Sequence, residues 1–147
     1  MRFPLFTKNT LRSTSFILTL FLAGCVTIYE PPKYGEPTAT VQGMKDNGLF
    51  NWSVIAVTEI DNHSVGFKMT PAGTLRIYPG NHMLTLNSQF KRGPFSPVYF
   101  AVIDVSANFK ASQHYKIKSN VDGSRLNAWV EDANGHRVSP ISSSNYH

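Results

Sequence analysis

Trp52-Ser53-Val54-Ile55-Ala56-Val57-Thr58-Glu59-Ile60 decides the fold class of this chain. Four of its nine residues are β-branched Val, Ile or Thr before the final Ile60 is counted, and such side chains are stiff in a helix but pack well on a pleated surface. Helical spacing alone would permit a helix here; the β-branched run argues for a strand. Alternation puts Trp52, Val54, Ala56 and Ile60 on one face, expected to be the buried one. Ile55 and Val57 on the other face imply a strand covered on both sides at its middle.

The same period continues outward in both directions. Upstream, Thr38-Ala39-Thr40-Val41 alternates as a first edge strand, and Asn47-Gly48 marks a turn. Downstream, Asp61-Asn62-His63-Ser64 reads as a turn, followed by a short strand around Val65–Met69 and a break at Pro71-Ala72-Gly73. Leu75 and Ile77 alternate up to Pro79-Gly80-Asn81, and His82, Leu84 and Leu86 alternate after it, which predicts a hairpin with Pro-Gly at its turn. Lys91-Arg92-Gly93-Pro94-Phe95-Ser96-Pro97 interrupts the pattern. Val98 to Phe109 is then a long strand with Tyr99, Ala101, Ile103, Val105 and Ala107 on one face. Asp122-Gly123 is a two-residue hairpin signal. It would set Tyr115 opposite Val130, Ile117 opposite Ala128 and Ser119 opposite Leu126, with His114–Glu131, Lys116–Trp129 and Asn120–Arg125 on the other face. Asn134-Gly135 turns the chain again toward Val138. About seven short strands, frequent turns and no convincing helix predict an all-β fold, a small antiparallel β-sandwich over residues 38–140, with 141–147 as a disordered tail.

The first 37 residues are of a different kind. Residues 1–15 carry Arg2, Lys8 and Arg12 with no acid, and Phe16–Leu22 is apolar apart from Thr19. A basic start, a short apolar run and small residues after it describe an export signal. The run falls well short of the roughly 20 residues a membrane span needs. Leu22-Ala23-Gly24-Cys25 resembles the lipobox of bacterial lipoproteins. That resemblance implies recognition of Leu22, Ala23 and Gly24 by a signal peptidase, removal of residues 1–24, and acylation of Cys25 through its thiol and its new amino group. It would also account for the only cysteine of the chain, since a lone thiol in an exported protein otherwise needs explaining. Within the same resemblance, Val26 stands where Asp would retain the protein at the inner membrane. The implied location is therefore the outer membrane, with the domain facing the periplasm. Residues 25–37, with Pro31, Pro32, Gly35 and Pro37, read as an extended lipidated tether. Tyr29 and Tyr34 suit either the headgroup level or plain linker positions.

Export changes what the charge means. The formal charge is +5, but three of the 14 basic residues lie in the signal, leaving 11 against 9 acids. The remaining 123 residues are nearly neutral and suit one small domain. A nucleic-acid partner is not expected.

Further resemblances are local. Leu75-x-Ile77-x-Pro79-Gly80-x-His82-x-Leu84-x-Leu86 looks like the hairpin of PEGA-like envelope modules. Phe109-x-Ala111-x-x-x-Tyr115-x-Ile117, with Trp129-Val130-Glu131-Asp132, looks like the end of small bacterial lipoproteins. These imply a prealbumin-like or immunoglobulin-like sandwich and no particular ligand.

Chemistry-bearing residues are sparse. The histidines at 63, 82, 114, 136 and 147 make no H-x-H or H-x-x-x-H pair, so neither a metal nor another cofactor is expected. His82 after its turn reads as structural. No G-x-S-x-G elbow or phosphate loop is present, and Asp61, Asp104, Asp122 and Asp132 fall at expected turns or strand ends. No enzyme is predicted. The candidate binding residues are Lys91, Arg92 and Phe95, two cations and an aromatic on one loop, and Trp129 as a platform. The alternatives are a plain crossover between sheets with Phe95 plugging the core edge, and a Trp129 half-covered by Lys116. The expected function is a membrane-anchored, non-enzymatic accessory module for a protein partner in the cell envelope. Binding of wall glycan or another anionic polymer, and inhibition of an envelope enzyme, are the alternatives.

Overall fold

The computed structural model describes residues 27–66 and 73–147. Leu22, Ala23, Gly24, Cys25 and Val26 lie outside the described residues, as does the expected strand beyond Gly66.

The described residues form ten strands in chain order: β1 Ala39–Gln42, β2 Met44–Asn47, β3 Trp52–Ile60, β4 His63–Ser64, β5 Thr74–Ile77, β6 Gly80–Lys91, β7 Val98–Phe109, β8 His114–Asp122, β9 Arg125–Asp132 and β10 Ser142–Asn145. Two sheets result, a front sheet ordered β2-β3-β6-β7 with β4 beside β3, and a back sheet ordered β10-β9-β8-β1-β5. This is a small all-β sandwich. Among the described strands every pairing is antiparallel except that of β1 with β8, which is parallel, as is the isolated bridge between Ile28 and Ser64.

β1 is therefore no edge strand; it lies between β5 and β8. A single buried residue, Gly43, carries the chain from β1 in the back sheet to β2 in the front sheet. Ser142–Asn145 is likewise no disordered tail. It pairs with β9 from Ser142↔Ala128 to Asn145↔Arg125. His147 then exchanges two backbone hydrogen bonds with Phe100 on the edge of β7, N–H to O at 3.1 and 2.9 Å.

β3 has the predicted bounds but not the predicted core face. Ile55, Val57 and Ile60 are its buried residues. Val57 pairs with Leu86 and Glu59 with Thr85, so Thr58 is an extra residue, a β-bulge. The bulge shifts Ile60 onto the face of Ile55 and Val57 and leaves Trp52, Val54 and Ala56 outward. In β7 the predicted face is the inner one, with Phe109 added to it. Side chains such as Ile103, Val105, Ile117 and Val130 interlock between the sheets, each contributing about 1.5–3 kcal/mol by its burial.

Two turns differ from expectation. Pro79-Gly80 does not close a hairpin: β5 pairs with β1 in the back sheet, whereas β6 pairs with β3 and β7 in the front one. The corner is a crossover between sheets, with Gly80 at φ +136°. Alternation continues on both sides because each strand has an inner face, whichever sheet it joins. The β8–β9 turn is Gly123-Ser124, not Asp122-Gly123, and pairs Asp122↔Arg125, Lys118↔Trp129 and Ile117↔Val130. Gly123 at φ +58° occupies the first turn position, where a type II′ turn places glycine. Each partner moves by two residues, so the inward set is unchanged.

The strand directions give the sandwich two distinct ends. The upper end carries the loops 48–51, 92–97 and 123–124. The lower end carries the Asp61-Asn62 turn, the Pro79 corner, the turn after Phe109, and the segment from Thr27. That segment is not a free leash. Ser64 N–H donates to Thr27 O at 2.9 Å, Tyr29 N–H donates to Ser64 O at 2.8 Å, and Pro32 is buried.

Candidate functional site

The upper end gathers the features that suit a binding surface. β2 and β3 are joined by Gly48-Leu49-Phe50-Asn51, a tight loop in which a Cβ on Gly48 would stand 2.2 Å from the Asn51 carbonyl oxygen. Only glycine allows that closure, and the closure turns Leu49 and Phe50 outward, 89% and 55% exposed. The pairing Trp52↔Lys91 sets this loop beside the β6–β7 loop, whose Phe95 is 100% exposed. That second loop is held rigidly. Arg92 N–H donates to Ser96 Oγ at 3.0 Å, and Ser96 donates from both N–H and Oγ to Gly93 O. Exposed large apolar side chains presented together on rigid loops mark an interaction surface more than scattered ones do.

Beneath the loops, Phe90, Tyr99 and Tyr146 pack with ring centroids 4.8 to 5.5 Å apart. Arg92 lies over Tyr146, 6.0 Å from its ring centre, and donates to the Gly123 carbonyl at 3.2 Å and to Tyr146 Oη at 2.6 Å. Tyr146 in turn donates to the same carbonyl at 2.8 Å. Arg92 therefore ties the front-sheet loop to the back-sheet turn. A cleft of about 280 Å³ opens beside this cluster, lined by Asp46, Asn51, Trp52, Ser53, Lys91 and Asn120 over the apolar side chains of Phe90 and Leu126.

Of the predicted site residues, the structure brings Lys91, Arg92 and Phe95 to this end and leaves Trp129 elsewhere. The 92–97 loop joins two neighbouring strands of one sheet and is no crossover between sheets, and Phe95 plugs nothing. Lys91 is half-buried on the outer face, opposite Trp52 and Val98. Trp129 is half-buried on the outer face of the back sheet, opposite Lys118 and not Lys116, and donates its indole N–H to Glu131 at 2.7 Å. Sequence reasoning missed Leu49 and Phe50; two apolar residues following a glycine turn signal were the available clue. It also missed the polar cleft residues, which converge only through pairing.

The lower end has its own polar cluster. Asp61 and Asn62 both adopt positive φ, 51° and 64°, in a tight turn between Ile60 and His63. His82 donates from Nδ1 to Asp61 Oδ2 at 2.6 Å, and its Nε2 faces Tyr78 O at 3.0 Å. Met83 N–H donates to Asp61 Oδ1 at 2.9 Å. Burial alone would push the Asp61 carboxyl up, but the hydrogen bonds from His82 and Met83, with the charges of His82 and His63, outweigh it and hold the group below 3.8. Tyr29 is pushed up by burial, and Tyr78 by its hydrogen bond to Glu36. Asp104, expected at a strand end, lies within β7 and accepts from Thr85 Oγ1 at 2.8 Å. Among the described residues no three His, Cys, Asp or Glu side chains are placed to hold a metal ion, and no helix is long and apolar enough to cross a membrane.

Compared with family models, curated proteins and solved structures, the chain matches none.

Proposed function

We propose that the chain is a lipid-anchored, non-enzymatic binding module of the bacterial cell envelope, whose upper end engages a protein partner. The observation that carries this reading is the pair of adjacent rigid loops presenting Leu49, Phe50 and Phe95 to solvent. Apolar and aromatic anchors at a protrusion, with Lys91 and the cleft polar groups as a rim, match the anatomy of a protein-binding hot spot. The anchor rests on the Leu22-Ala23-Gly24-Cys25 pattern, and Val26 favours the outer membrane over the inner one.

Crosslinking in intact envelopes, followed by capture of the chain, should recover a defined protein. Leu49→Ser, Phe50→Ser and Phe95→Ser together should lose it while the fold is kept, because all three side chains are exposed. Recovery of the same protein by the triple variant would refute the assignment of this end.

The cleft favours a second reading, a sugar unit of a wall glycan. Phe90 and Leu126 offer an apolar floor, and Asp46, Asn51 and Ser53 offer donors and acceptors, in a volume suited to one small ring. Asn51→Ala with Ser53→Ala should then abolish sedimentation with peptidoglycan, and unchanged sedimentation would dispose of it.

A further inference from the structure

We propose that the lower end of the sandwich is a lipid-facing platform, seated on the headgroup region of the membrane that holds Cys25, and that this seating fixes the upper loops pointing away from it. The inference rests on the anchor reading above and adds an orientation to it.

Three observations lead there. First, the chain has no slack at this end. Thr27 is hydrogen-bonded to Ser64, and Cys25 precedes Thr27 by two residues, so an acylated Cys25 lies within about 7 Å of the fold. Second, apolar and aromatic side chains stand exposed around that point. Ile28 bridges to Ser64 and is 69% exposed. Tyr34 is fully exposed in the turn Lys33–Glu36, and that turn is tied to the lower end because Tyr78 donates to Glu36 Oε2 at 3.0 Å. Tyr78 is itself partly exposed and donates its backbone N–H to Tyr29 Oη at 3.3 Å. Third, the type of residue fits. Tyrosine has an apolar body and a polar tip, and it collects where hydrocarbon meets water.

The charges here are mixed: Glu30, Glu36 and Arg76 lie near Tyr78, Arg76 reaches the Lys33 carbonyl, and Asp61 and His63 stand beside Ile28 and Glu30. An aromatic interfacial contact therefore suits this end better than a purely electrostatic one. It need not be strong. Once acyl chains hold Cys25 in the bilayer, contact by Ile28 and Tyr34 is intramolecular and is populated at modest intrinsic affinity.

The test uses the full, acylated protein in vesicles of phosphatidylethanolamine and phosphatidylglycerol with brominated acyl chains, which quench tryptophan on contact. Tyr34→Trp and Phe95→Trp are compared; Trp52 and Trp129 are common to both and cancel in the difference. β7 runs 12 residues between the ends, about 36 Å, so the two positions are well resolved. Tyr34→Trp should be quenched and blue-shifted, Phe95→Trp should not, and adding Ile28→Ser should weaken the quenching. Vesicle flotation reads the anchor separately. If the protein floats but Tyr34→Trp is quenched no more than Phe95→Trp, the platform is overturned and the anchor stands. If flotation fails, or survives Cys25→Ala, the anchor falls and the platform with it. A spectral change that follows protein density and not bromination means that a protein covers this end, which also overturns the proposal.

Discussion

Asp61→Asn removes one negative oxygen from the lower end and little else. Asparagine tolerates the left-handed φ of 51° as well as aspartate does, and its Oδ1 can still accept from Met83 N–H. The loss is the anionic acceptor 2.6 Å from His82 Nδ1. A hydrogen bond to a charged group contributes about 1.5–3 kcal/mol when shielded. The Asp61 side chain is 45% exposed, so solvent screening reduces this to about 1 kcal/mol. The pH dependence has a definite sign. A carboxyl held below its unfolded value adds stability that is complete above that value and is lost as pH falls through the folded one. The parent should therefore exceed the variant by about 1 kcal/mol near pH 6, with the gap closing well below 3.8, the unperturbed value. Urea unfolding followed by circular dichroism, from about pH 6 down to about pH 2.5, measures both quantities. A gap that is absent near neutrality, or unchanged in acid, would refute the assignment of Asp61 as the stabilising partner.

Three further outcomes are expected. Gly48→Ala forces a Cβ to 2.2 Å from the Asn51 carbonyl, so the loop must open at a cost of about 1–3 kcal/mol, read as a lower urea midpoint with weaker partner capture. Arg92→Ala cuts the tie between the sheets at Gly123 and Tyr146 and should lose about 1 kcal/mol in urea unfolding; Arg92→Lys should restore part of it, because both bonds come from Nη1 alone and an ammonium can donate twice, whereas the packing of the guanidinium over Tyr146 is lost. Ser88→Ala should be neutral or stabilising by up to about 1 kcal/mol in thermal unfolding, because the buried Ser88 Oγ has no hydrogen-bond partner among the described residues; a loss of more than that would mean the hydroxyl is satisfied.

Where strands lie was legible in the sequence, because period-two alternation and β-branched runs are local. β3 and β7 begin and end at the predicted residues. What a strand pairs with was less legible. Leu75–Ile77 and His82–Leu86 alternate identically whether Pro79-Gly80 closes a hairpin or carries the chain between sheets. Thr58 carries no mark of being a bulge, and one unmarked residue was enough to exchange the faces of β3. Ser142–Asn145 is too polar to announce a strand, and it becomes one only because β9 offers an open edge. At the upper end, Phe95 was visible as an aromatic within a Gly-Pro break. Arg92 was visible as a cation, but its work as a tie depends on Gly123 and Tyr146, which are 31 and 54 residues away in the chain.

The seating of β1 between β5 and β8 has a consequence for how the chain folds. β6–β7 and β8–β9 are joined by short loops and can zip as soon as both arms exist. β1 pairs with β8 across 74 residues, as Thr40 with His114, and that loop must close before any contact rewards it. The first of the described strands is thus among the last able to dock, and the back sheet stays split until it does. During that interval β8 presents an unpaired edge, with Tyr115 and Ile117 uncovered beside it. A nascent chain delayed at this step exposes the parts of itself most prone to pair with a neighbour.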